Sequence, residues 1–113
     1  MPTTVFIDTN GLPREHAPEG GERTEILNAR LAGANDVTGV LRWLQPGETL
    51  EVSPLDRHQL VYVMDGQARL TLGQATHDVG KGMGLYLGPS EGATIAAGPS
   101  AVKLFHLVVR PTT

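Results

Sequence analysis

The chain has 113 residues, of which 40% are hydrophobic, enough for one hydrophobic core and too few for a second. It contains no cysteine, which excludes disulfide scaffolds, thiolate metal sites and cysteine nucleophiles, and its net charge of -3 comes without a basic stripe, so nucleic acid is not an expected partner. The N-terminus meets an acid at Asp8 without a basic and long apolar leader, and no later stretch is apolar enough to span a bilayer; a cytoplasmic protein with no membrane partner is expected.

Fourteen glycines and eight prolines punctuate short apolar runs, the pattern of a sandwich or barrel of many short strands. Asn10 to Gly21 is rich in Pro, Gly and charge with no period, and reads as an irregular arm over about residues 8–22. Strands are expected over Arg23–Leu31 and Val37–Leu44, separated by the turn-like Ala32–Asp36, and over Thr49–Ser53 beyond Pro46-Gly47. Leu60–Met64 and Gln67–Leu72 flank Asp65-Gly66, a dipeptide favoured in type I′ turns, and so read as a hairpin. The second of these strands alternates, with Ala68, Leu70 and Leu72 on one face. The first is apolar on both, which predicts cover outside as well as inside, from another sheet or a second subunit. Further strands are expected over Ala75–Val79, Gly84–Leu87, Ala93–Ala97 and Val102–Val109, each bounded by Gly- or Pro-containing turns. Such a small domain gains from burial against a copy of itself, so a homodimer is expected.

The segment from Gly47 to Gly66 resembles the first motif of the cupins. Gly47 and Gly66 take the places of the terminal glycines, Ser53 and Leu55 those of the two histidines, and Gln59 that of the glutamate. Gly82, Pro89 and Thr94 similarly follow the second motif, with Thr94 where the family has its third histidine. The resemblance spans roughly Asp36 to Val109 and implies an all-β fold: one antiparallel β-barrel or jelly roll, the cupin double-stranded β-helix, over residues 1–113. Metal-dependent cupins hold their ion with three His and one Glu. None of those four positions carries its ligand here, and Leu55 offers no donor at all, so neither metal nor other cofactor is expected.

The remaining candidates come from strand alternation. His106 shares a face with Val102, Leu104 and Val108 and is expected inside, either as a core histidine bonded to backbone or as a neutral imidazole acting as general acid or base. If Gln59 faces inward, His58 faces outward, unless a bulge turns it into the cavity. Arg42 and Trp43 must take opposite faces. An interior Arg42, beside Val40 and Leu44, would need a carboxylate partner or an anionic ligand, whereas in the other arrangement Trp43 fills the core. Gln59 could orient a ligand, Tyr62 suits an interface, His77 the surface, and His16 lies in the arm.

These readings converge on a metal-independent protein acting on a small organic molecule in the barrel, an isomerase, cyclase or lyase. His106 and His58 are then the catalytic candidates, with Arg42, Trp43 and Gln59 as ligand-binding residues. The alternatives are a non-catalytic sensor or binding module, and a metalloenzyme with His58, His106 and Asp56 as ligands.

Overall fold

A computed structural model describes residues 8, 11–27 and 36–109. Its strands are β1 (Glu15–His16), β2 (Glu22–Leu27), β3 (Val37–Leu44), β4 (Thr49–Val52), β5 (His58–Asp65), β6 (Gln67–Leu72), β7 (Ala75–Gly80), β8 (Gly84–Leu87), β9 (Ala93–Ala97) and β10 (Val102–Val109). They form a six-stranded sheet in the order β1-β2-β3-β10-β5-β8 and a four-stranded sheet in the order β4-β9-β6-β7. Every pairing is antiparallel. Among the described residues no ladder joins the two sheets, so the expected barrel is a jelly roll of two open sheets rather than a closed cylinder. No helix of the described residues is long and apolar enough to cross a membrane.

Alternation decides what fills the space between the sheets. Leu44, Val61, Val63, Val102 and Leu104 from the larger sheet meet Leu50, Val52, Leu70, Ala93 and Ile95 from the smaller one, all buried. Each large aliphatic chain removed from water contributes about 1.5–3 kcal/mol, so this layer holds the sheets together.

The expected strands from Val37 onward agree with the observed ones within a few residues. The first expected strand begins as β2, and its residues 28–31 lie outside the described part, as does most of the Ala32–Asp36 turn. The hairpin at Asp65-Gly66 is not observed. β5 pairs with β10 and β8, whereas β6 pairs with β7 and β9, so the chain crosses from one sheet to the other at this point. A hairpin and a sandwich corner share the same alternating pattern, which is why the sequence could not separate them. Only Gly66 adopts a positive φ here, +87°, and a Cβ on it would stand 2.3 Å from the Ala101 carbonyl oxygen. Gly66→Ala is therefore expected to cost about 2 kcal/mol of stability in a urea titration.

β5 is buried inside at Gln59, Val61 and Val63, but its outer residues Leu60, Tyr62 and Met64 are 36–40% exposed, and Tyr86 of the adjacent β8 is 59% exposed. No part of the described chain supplies the outer cover predicted for this strand.

Candidate functional site

Three polar side chains occupy core positions on adjacent strands: Arg42 on β3, His106 on β10 and Gln59 on β5, at 5%, 5% and 1% exposure. Register explains how they meet. Arg42 lies opposite Leu104, and His106 opposite Val40 and Val61, while Gln59 lies opposite Val108. The three therefore run diagonally across the inner face, within reach of long side chains.

Their hydrogen bonds form one consistent chain. Arg42 donates Nε–H to His106 Nδ1 at 3.1 Å, which fixes that nitrogen as the acceptor and leaves the ring proton on Nε2. Nε2 then donates to Gln59 Oε1 at 2.8 Å, and Gln59 Nε2 donates to the Ser53 carbonyl at 3.0 Å. Burial, reinforced by the Arg42 charge, pushes the His106 pKa down to about 4 against a smaller opposing effect of Glu19. The imidazole is consequently neutral near pH 7 with both nitrogens engaged.

The chain is closed at its other end by a residue from the segment read as an irregular arm. Glu19 accepts from Arg42 Nη1 at 2.8 Å and from Arg23 Nη1 at 3.4 Å, both at Oε2. A turn between β1 and β2 brings it there. Gly20 donates to the Ala17 carbonyl, Ala17 donates to the Gly21 carbonyl, and the Glu19 carbonyl accepts from Glu51 N. Gly20, at φ +134°, is pressed so closely against β4 that a Cβ would fall 1.9 Å from the Thr49 carbonyl oxygen. Burial raises the Glu19 pKa, but its own backbone amide and the two arginines outweigh that effect and lower it overall. Burial lowers the Arg42 pKa against the pull of Glu19, yet guanidinium keeps its proton in proteins. Glu19 is thus the carboxylate partner that an interior Arg42 required. Sequence reasoning missed it because nothing periodic marks the turn.

The other candidates lie elsewhere. Trp43 faces outward, with the Arg14 guanidinium 4.0 Å from its ring centroid and the Lys103 ammonium 6.0 Å away. His58 is also on the outer face, its Nδ1 2.7 Å from the Tyr86 hydroxyl. No bulge turns it inward, and it does not touch the interior chain.

The residues at the four cupin ligand positions do not fit a metal. Both amide atoms of Gln59 are engaged, Leu55 is 39% exposed and has no donor, and the Thr94 hydroxyl is bonded to the Glu51 carboxylate. Among the described residues no three His, Asp or Glu side chains converge on a point, which also separates the proposed set of His58, His106 and Asp56. An apolar cavity of about 10 Å³ is lined by Val61, Val63, Leu70, Val79, Met83 and Ile95 among others. A larger open groove of about 670 Å³ lies along the β6, β7 and β9 strands, bordered by Gln67, Arg69, Asp78 and Pro99.

The fold has close counterparts among solved structures. The polyketide cyclase RemF from Streptomyces resistomycificus superposes with a TM-score of 0.82 at 14% identity, covering 96% of this chain and 81% of that one. A predicted oxalate decarboxylase from Thermotoga maritima gives 0.83 at 14%, covering 95% and 100%, and an RmlC-like cupin from Shewanella frigidimarina gives 0.76 at 16%, covering 96% and 93%. At these identities the likeness establishes the fold. No curated protein matches the sequence. The profile of one family, described as the AraC-like ligand binding domain, matches residues 40–113.

Proposed function

Because the chain belongs to the AraC-like ligand-binding domain family, within the cupin superfamily, we propose that it binds a small organic molecule without a metal and recognises it through Arg42, His106 and Gln59. The observation that carries this reading is the buried polar chain itself. Well-packed apolar residues are often at least as stabilising as a buried ion pair, so three strands committing polar side chains to one line is better explained by recognition. Recognition also suits His106 better than proton transfer, since burial makes its ring a weak base, with a pKa of about 4, and both ring nitrogens are held in hydrogen bonds.

A thermal-shift screen of small metabolites tests the proposal, with hits confirmed by calorimetry on the wild type and on Gln59→Leu. Compounds that bind the wild type and lose tenfold or more in affinity on Gln59→Leu are expected. Hits with unchanged affinity, or hits that depend instead on Arg69 in the open groove, would displace the site from the interior chain.

A second reading, acid–base catalysis, is favoured by one observation, the 2.7 Å pair of His58 and Tyr86. It predicts turnover of a bound compound that is lost in His58→Ala and retained in Gln59→Leu, followed by product analysis of each screening hit.

We also propose a homodimer across the outer face of β5 and β8, where Leu60, Tyr62, Met64 and Tyr86 form a contiguous exposed apolar patch of the kind that marks an interface. Light scattering on the eluting protein is expected to give twice the chain mass, and Tyr62→Glu to give the chain mass. A monomeric wild type would remove this part of the proposal.

A further inference from the structure

The carboxylate of Glu19 sits in a site with more donors than it uses. Arg42 and Arg23 both reach its Oε2, and Arg23 Nε is buried with no hydrogen-bond partner among the described residues. Among the described residues the acid partner of both cations is the same carboxylate, that of Glu19. Glu19 does not use the spare donor. Its carboxylate is tethered to a turn whose carbonyl is held by Glu51 N, and a single oxygen serves both arginines. A carboxylate carried by a free molecule is not so constrained. It can present both oxygens to the two guanidinium groups, take up Arg23 Nε, and thereby satisfy a buried donor whose neglect is costly.

We infer that the Arg23–Arg42 pair is a binding site for a small carboxylate, filled in the free chain by Glu19 as a placeholder that the ligand displaces. The inference rests on the interior-chain reading of function and narrows it to molecules bearing a carboxylate. Glu19 and Arg23 both precede the residues matched by the family profile, which begin at Val40, so the site draws on a part of the chain outside that match. Specificity for a carboxylate over a neutral molecule follows from the differential contact: only an anion replaces the charge that Glu19 withdraws from Arg42.

The test is replacement of the missing group. Full-length Glu19→Ala is melted in sodium acetate and in sodium chloride at equal ionic strength. Acetate is expected to raise its Tm by about 5 °C or more once present at roughly ten times its Kd, with a much smaller effect on the wild type, where Glu19 competes, and none on Glu19→Ala/Arg42→Met. Glu19→Gln preserves the shape of the turn and serves if the alanine variant does not fold; acetate binding to it is read by calorimetry. Equal melting in acetate and chloride, with no heat of binding to Glu19→Gln, would overturn the inference, as would stabilisation by phosphate and not by acetate. If the metabolite screen yields neutral ligands that depend on Gln59 while acetate has no effect, the binding function stands and the carboxylate site falls. Rescue by acetate with no metabolite hit would have the opposite meaning.

Discussion

Glu19→Ala is expected to lower the unfolding free energy by about 3 kcal/mol, measured by urea denaturation at pH 7. Removing one partner of a buried ion pair leaves the other charge without compensation, at a cost of about 3–5 kcal/mol when both are buried. The Arg42 side chain is 7% exposed and that of Glu19 24% exposed, which places the loss at the lower end. In a domain of this size such a loss corresponds to more than about 10 °C in Tm. Glu19→Ala/Arg42→Met removes the stranded charge together with its partner, so the double variant is expected to be more stable than Glu19→Ala alone, a coupling that a double-mutant cycle measures directly. An alanine variant within about 0.5 kcal/mol of the wild type, the usual range for a surface substitution, would mean that the turn does not hold its carboxylate on Arg42 in solution.

Stability is also expected to fall by roughly 3 kcal/mol between pH 6.5 and pH 4. His106 titrates at about 4 in the folded chain and at its ordinary 6.5 when unfolded, so in that window the unfolded chain binds the extra proton. The contribution is fully present above pH 6.5 and is lost as the pH falls towards the folded value, at 1.36 kcal/mol per pH unit. Glu19 adds loss of the same sign at the acid end, because its folded pKa is also lowered. His106→Leu is expected to flatten the upper part of this window while costing about 2 kcal/mol at pH 7, since Arg42 Nε and Gln59 Oε1 both lose a partner. An unchanged pH profile in His106→Leu would assign the acid sensitivity to other groups.

Much of the architecture was legible because alternation is a strong signal wherever one face of a strand is buried. Gln67–Leu72 and Val102–Val109 could be bounded within a residue, and the inward placement of His106 followed from its apolar face-mates. What pattern could not give was pairing. Asp65-Gly66 carries a hairpin signal, yet the chain turns a corner there, because the choice rests on whether β5 bonds to β6 or to β10 and β8, a long-range matter. At the site, alternation required Arg42 and Trp43 to part company but left open which went inside. The answer depended on a carboxylate at Glu19, in the stretch with no period at all. Burying Arg42 is tolerable only because that turn returns to β3 and β4, and no local signal announces such a contact. His58 illustrates the reverse case. Its outward face followed from the inward face of Gln59, and its partner Tyr86 comes from a neighbouring strand that sequence spacing does not link to it.

Whether the interior chain of Arg42, His106 and Gln59 recognises a ligand can be read from the spectrum of the His106 ring nitrogens in full-length protein, recorded with and without a confirmed ligand. An unprotonated Nδ1 and a protonated Nε2 are expected at pH 7, with the same tautomer down to about pH 5 and a clear displacement of both resonances when the ligand binds. A ring that is doubly protonated at pH 6, or one whose resonances are unmoved by a bound ligand, would contradict this expectation.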